Sequence, residues 1–179
     1  MNLHNDNICR VLPLRINLNG FYFTKKQRKI ISRARRFTTK IQEIVIDDEK
    51  ELLFYQHTSK FEQGAPTSIY NFISTQPSLV PCQAREVAVY DNGKLVAASF
   101  FDLGLEATSS IYGFYDLNYS RFSLGIYTML AEIQFSLDFQ KKYYYHGYCY
   151  DVPSFYDYKK RFNQVELFDW QGRWHPLAD

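Results

Sequence analysis

The stretch EVAVYDNGKLVAASFFDLG, residues 86–104, constrains the fold more than any other part of this sequence. Two runs rich in apolar residues flank Asn92-Gly93, a pair that readily supplies the positive φ angles of a two-residue type I′ turn. A hairpin is predicted here, and SSIYGFYDL, which follows it, reads as a third strand. The chain is therefore built around an antiparallel meander. Its 15 Tyr and 15 Phe in 179 residues fit a sheet with aromatic pockets better than a helical bundle.

Around this meander the remaining segments alternate between helix and strand. VLPLRINL reads as a strand near residues 11–18 with Pro13 at an edge position. FTKKQRKIISRARRF reads as a helix capped by Thr24 that turns Ile30, Ile31 and Ala34 inward. TTKIQEIVI is predicted as a strand, and Asp47 as the cap of a helix through DDEKELLFYQHTSKF. From Glu62 to Pro81, prolines surround the short helical piece TSIYNFIS in a connecting arm suited to act as a lid.

A helix over 120–139 is expected to turn Leu124, Tyr127, Leu130, Ala131, Gln134, Phe135 and Leu137 inward. In the strand KKYYYHGYCY, alternation sets Tyr144, His146, Tyr148 and Tyr150 on one face and Tyr143, Tyr145, Gly147 and Cys149 on the other. PSFYDYKKRF starts a helix at Pro153, and QVELFDW with the Gln171-Gly172 turn closes the sheet. The expectation is one α/β domain over residues 1–179, with a mixed, mostly antiparallel central sheet flanked by helices.

Charge is distributed unevenly. Between Arg10 and Lys40 stand ten Lys/Arg residues and no acid, although the net charge of the whole chain is only +2. This block reads either as a solvated helix face or as the footprint of a phosphate-backbone partner. The helix that follows SSIYGFYDL starts with Arg121, Ser123 and Gly125, and its first turn offers unpaired N–H groups and a positive dipole end to a phosphate. Ordinary helix capping is the alternative.

Cys9, Cys82 and Cys149 are too few and too widely spaced for a disulfide framework or a C-x-x-C knuckle, so reduced, mostly buried thiols and no metal site are expected. No apolar run approaches the roughly 20 residues that span a bilayer, and the N-terminus has no apolar signal core. A cytoplasmic chain without a membrane partner is the expectation.

The order strand, helix, helix, three antiparallel strands, helix, strand, helix, strand resembles the GNAT-like fold of the acetyl-CoA-dependent N-acetyltransferase superfamily. That superfamily's Arg-x-x-Gly-x-Gly/Ala element stands here as RFSLGI, with a single glycine at Gly125. A closer resemblance covers nearly the whole chain. LPLRINLNGFYFTKKQRKIISRARRF, the VAVYDNG hairpin, SSIYGFYDL with RFSLG, YYYHGYCY and YKKRF are similar in order and type to elements of the arginyl-tRNA-protein transferases and their bacterial leucyl-transferring relatives.

The resemblance implies transfer of arginine or leucine from a charged tRNA to the α-amine of an acceptor protein's N-terminus, marking that protein for degradation. Charged tRNA would be the co-substrate, with no further cofactor. Two departures from the family pattern stand out. Only Cys9 precedes the LPLRI element, where the family carries a cysteine-rich segment, and Phe155-Tyr156 replaces its Lys-Met.

An aminoacyl ester is already activated, so the chemistry needs alignment, a proton acceptor and oxyanion stabilisation, without a Ser-His-Asp or Cys-His arrangement. The resemblance points to Asp102 as proton acceptor; a turn-capping carboxylate is the other reading. Tyr148 would meet the 3′-adenosine or the ester, and Tyr112 would line the same cleft, though both also read as core. Arg121, Ser123 and Gly125 would hold a phosphate near the tRNA 3′ end.

Lys25, Lys26, Arg28, Lys29, Arg33 and Arg36 would track the acceptor stem with salt-sensitive affinity, and Lys159 and Arg161 would extend that surface. His146 reads as a hydrogen-bonded histidine among tyrosines rather than as a base. A coenzyme A-dependent N-acetyltransferase and a non-catalytic tRNA- or protein-binding relative stay open as alternatives.

Overall fold

A computed structural model describes residues 2–4, 7–61 and 64–177, so Glu62, at the start of the connecting arm, lies outside the described residues. In chain order the strands are β1 (Asn2–His4), β2 (Asn7–Cys9), β3 (Val11–Asn17), β4 (Thr38–Gln42), β5 (Ala84–Asp91), β6 (Lys94–Leu103), β7 (Ala107–Tyr115), β8 (Tyr143–Tyr150), β9 (Val165–Phe168) and β10 (Trp174–Pro176). The helices are α1 (Lys25–Ala34), α2 (Asp48–Thr58) and α3 (Leu124–Asp138).

The predicted hairpin is β5–β6, with Asn92 at φ 50 and Gly93 at φ 88, the sign pattern of a type I′ turn. Around it forms an eight-stranded sheet in the order β10-β9-β3-β8-β7-β6-β5-β4, while β1 and β2 pair separately. Its pairings are antiparallel except for β7 with β8. The result is a GNAT-like mixed sheet.

Alternation along the central strands feeds two helical layers. Ala88, Ala98 and Phe100 pack with Leu53 and Phe54 of α2, while Val87, Val89 and Phe101 pack with Ala34 of α1 and Leu124 of α3. Farther along the sheet, Leu14, Ile16 and Tyr144 pack with Leu130 and Ile133 of α3. Burying side chains of this size contributes roughly 1.5–3 kcal/mol each.

The caps fall where the sequence placed them. Thr24 and Gln27 form a reciprocal capping box on α1, and Asp47 accepts from the Lys50 amide at the start of α2. Among the described residues, no helix is long and apolar enough to cross a membrane.

Five expectations change. First, β3 is internal rather than an edge strand, but β9 accompanies only Leu14–Ile16, so Pro13 sits where β8 alone pairs with the strand. Second, TTKIQEIVI is a strand only through Gln42; beyond it the chain leaves the sheet edge, and the Ile44 amide bonds to Ser78 instead of a neighbouring strand.

Third, the helix expected from 120 starts at Leu124. Asp116 caps a 3-10 segment, Leu117–Phe122, and Ser123, in the left-handed region at φ 57, separates it from α3. Gln134 points outward, bonded to Asp138. Fourth, the segment after Pro153 is a 3-10 turn, Phe155–Arg161, capped by Ser154 and Asp157.

Fifth, β8 does not alternate evenly. Tyr145 pairs with Arg15 and Gly147 with Leu14, leaving His146 as the extra residue of a bulge. The bulge shifts the alternation, so Tyr144 and Cys149, expected on opposite faces, share one core cluster.

Candidate active site

The parallel pair β7–β8 holds together for only three steps, ending at Ser109 opposite Tyr145. Immediately beyond, both strands bulge. In β7, Phe100 faces Tyr112 and Phe101 faces Ser110, so Ile111 is the extra residue; in β8 it is His146. A bulge bends its strand and breaks the ladder, so two adjacent bulges part the strands. The wedge between them opens into a cleft of about 620 Å³.

Ser110 and Tyr112 form one wall, and His146, Gly147 and Tyr148 the other. Phe155, Tyr156 and Lys159 of the 3-10 turn close over the β8 side. At the mouth lie Ser120, Ser123 and Gly125, with His57 and Lys60 from the end of α2. Ser123 makes no side-chain cap, and its carbonyl accepts from the Ile126 and Tyr127 amides, so of the first turn of α3 the Leu124 and Gly125 N–H groups are left to face the cleft. Gly125 also serves packing, because a Cβ there would meet the Tyr115 ring at 3.2 Å.

The electrostatics of the cleft are one-sided. Among the described residues, no Asp or Glu lines it. Burial lowers the Lys159 ammonium to about 8, and its Nζ lies 5.4 Å from the centroid of Tyr148 and 5.1 Å from that of Tyr156. Burial, with the Lys60 charge, takes His57 down to about 4. Burial likewise lowers Lys60, whose Nζ lies 5.2 Å from the Tyr115 ring centroid.

A carboxyl lies beneath the floor. Glu132 of α3 is fully buried and accepts from Ser99 Oγ at 2.5 Å and Tyr144 Oη at 2.6 Å. Ser99, though only 2% exposed, lines the cleft and pairs across the sheet with Gly113. Burial raises Glu132 to about 7 against the pull of the Ser99, Tyr144 and Ser110 hydroxyls. A group poised there exchanges a proton near neutrality.

Sequence reasoning missed this residue. The signal was Thr128, Glu132 and Ser136, a buried polar stripe at four-residue spacing inside an apolar helix. Counting only apolar positions hides it.

The expected site residues divide. Tyr112, Tyr148, Ser123, Gly125 and Lys159 meet in the cleft, which corrects the placement of Lys159 on the outer surface. Asp102 lies outside it. It pairs opposite Ser109 at the closed end, where β7 and β8 are still joined, and its carboxylate contacts the Cys82 thiol.

Arg121 is exposed, with its guanidinium 4.8 Å from the Phe122 ring centroid, and Arg161 is also exposed. Lys25, Lys26, Arg28, Lys29, Arg33 and Arg36 are all exposed along and just after α1. Arg28 donates to the Phe23 carbonyl and Arg36 lies 3.7 Å from Asp91, whereas Lys25, Lys26, Lys29 and Arg33 have no carboxylate partner among the described residues.

Among the described residues, the GNAT-like sheet is split at its one parallel pair, with a helix N-terminus beside the split, which is the architecture of acyltransferase-type folds. The family model for arginine-tRNA-protein transferase, C terminus, matches residues 39–169, and the chain belongs to that family. It is 26% identical over 183 residues to an aspartate/glutamate leucyltransferase of Xylella fastidiosa, covering 98% of this chain and 72% of that protein.

Solved structures share the fold. L-PGS from Bacillus licheniformis superposes with a TM-score of 0.54 at 13% identity, covering 83% of this chain and 49% of that one. FemX gives 0.55 at 10% identity, covering 86% and 56%. The chain thus spans about half the length of these two solved structures.

Proposed function

We propose that this chain transfers an amino acid, arginine or leucine, from charged tRNA to the α-amine of a protein N-terminus, with the wedge between β7 and β8 as the reaction site. The observation that carries this reading is the cationic cleft, without an acid among the described residues that line it, with the first turn of α3 beside it. A phosphate near the tRNA 3′ end binds at Ser123 and Gly125, and Lys60 adds charge there. The exposed Lys25, Lys26, Lys29 and Arg33 take the acceptor stem, with Arg28, Arg36, Arg121 and Arg161 at the margins. The reaction then belongs in the cytoplasm, where charged tRNA is available.

Tyr148 and Tyr112 flank the terminal adenosine and the ester. The acceptor nitrogen attacks the ester carbonyl carbon, forming the C–N bond, and the bond to the ribose oxygen breaks. Lys159, still largely protonated at neutral pH, stabilises the oxyanion. The amine proton passes through the Ser99 hydroxyl to Glu132, and one proton returns to the departing ribose oxygen, so the products are an amide and an uncharged tRNA. Asp102 is too far round the sheet for this task.

The test is transfer of labelled arginine or leucine from each charged tRNA to a peptide with an acidic N-terminus. Incorporation from one tRNA is expected. Binding of tRNA without incorporation from either would sink the enzymatic reading, and acetylation with acetyl-CoA in its place would favour a coenzyme A enzyme.

A further inference from the structure

The basic residues of α1 are ordered along the helix. Lys25, Lys29 and Arg33 recur every four residues, and Arg36 follows three residues later in the turn beyond the helix, so the four form one exposed stripe. Like charges at this spacing repel one another. An anionic partner laid along the stripe would relieve that repulsion.

The stripe ends at the mouth of the cleft. Phe37, next to Arg36, packs edge-on against Phe122 with ring centroids 5.1 Å apart and against Tyr119 at 6.0 Å. Both partners belong to the 3-10 segment Leu117–Phe122, which runs directly into Ser123. Ser120 and Ser123 line the cleft, and Ala34 in the last turn of α1 shares a core cluster with Leu124 in the first turn of α3. At 1.5 Å per residue, Lys25 stands roughly 15 Å behind this end.

Two guanidinium groups meet on one ring here. The Cζ of Arg36 lies 5.3 Å from the Phe122 centroid and that of Arg121 lies 4.8 Å from it. Arg36 also lies 3.7 Å from Asp91 Oδ2, an oxygen that already accepts from Tyr119 Oη at 3.0 Å. A guanidinium over an aromatic ring is steadied without using its N–H groups, which stay free to fork onto phosphate oxygens. Lys25 and Lys29 offer point charges on flexible stems instead. The chemistry of the stripe therefore changes from diffuse attraction at one end to oriented donors at the other.

Resting on the transfer reaction above, we infer that this surface sets the direction in which the tRNA lies: the paired acceptor stem along Lys25, Lys29 and Arg33, and the unpaired 3′ strand leaving it at Arg36, with its phosphates held by Arg36 and Arg121 on the way to Ser123 and the cleft. The opposite direction would carry the aminoacyl ester away from the wedge by the length of α1.

Uncharged acceptor-stem RNA hairpins test this on the full chain: one with an unpaired 3′ tail, one blunt, and one with the same tail on the 5′ strand. The wild type should bind the 3′-tailed hairpin about tenfold more tightly than the other two. Arg36→Ala combined with Arg121→Ala should abolish that preference and leave binding of the blunt hairpin unchanged, which also shows that the variant is folded. The slope of log affinity against log salt for the 3′-tailed hairpin should become less steep by about 1.4, for two phosphates on a single strand. Lys25→Ala combined with Lys29→Ala should weaken all three hairpins together.

Equal binding of the 3′- and 5′-tailed hairpins overturns the assignment, and so does a double arginine variant that weakens all three hairpins alike or none of them. The hairpins carry no amino acid, so the outcome is independent of transfer. A wild type with the 3′ preference that transfers nothing defeats only the enzymatic reading, whereas transfer without the preference defeats only this one.

Discussion

Two buried carboxyls lie on opposite faces of the same sheet and have different neighbours. Glu86, facing α2, is fully buried with Lys50 Nζ 3.3 Å from its Oε1 and Gln42 bonded to the same oxygen. Burial works against the Lys50 cation, but the carboxylates of Glu86 and Asp47 outweigh it and hold the ammonium above its ordinary value. Glu132, facing α3, has hydroxyl groups as partners and no cation paired with it among the described residues. Burial raises Glu86 as well, but the Lys50 cation and the Gln42 amide pull it back toward the charged form, whereas Glu132, with only hydroxyls, is raised to about 7 and keeps its proton within reach of neutral pH.

The largest test of this contrast is Lys50→Met, which strands Glu86 without its cation. Destabilisation of about 3–5 kcal/mol is expected in chemical denaturation at pH 7, with little recovery by salt. If stability falls by less than 1 kcal/mol, the pair contributes little and the contrast with Glu132 disappears.

Glu132→Gln should act with the opposite sign. The folded state holds this proton more tightly than the unfolded chain, so Glu132 favours folding below its ordinary value of 4.5, and that contribution fades as the pH rises through about 7. The glutamine variant should match the wild type below pH 4 and exceed it at pH 8 by up to about 3 kcal/mol. Transfer should fall at least tenfold and lose the acid limb of its pH profile near 7. A stable variant with an unaltered profile would make Glu132 a structural residue like Glu86.

Ser99→Ala gives the smallest effect. It removes a donor that favours the ionised carboxylate, so the acid limb should move to higher pH, with a stability change of about 1 kcal/mol. An unmoved limb would separate Ser99 from the proton path.

Much of the fold was legible because its signals are local. The Asn92-Gly93 turn, the Thr24 and Asp47 caps and the inward positions of α1 depend on residues a few places apart. The site was legible only in part. Tyr112, Tyr148, Ser123 and Gly125, singled out from the sequence, line one cleft in the structure, whereas Lys159 looked like one more surface cation because its tyrosine neighbours come together only through the 3-10 turn. Asp102 sat on the expected hairpin strand but at the closed end of the wedge.

By itself the sequence determined the antiparallel meander, the helix starts set by side-chain caps, and the concentration of positive charge on α1, since each follows from short-range backbone geometry and composition. Tertiary structure decided where β7 and β8 part, that Lys159 turns into the cleft, and that Glu132 lies beneath the floor. Those outcomes rest on register between strands far apart in the chain: one extra residue at Ile111 and one at His146 break the ladder, and no local pattern in either strand announces them.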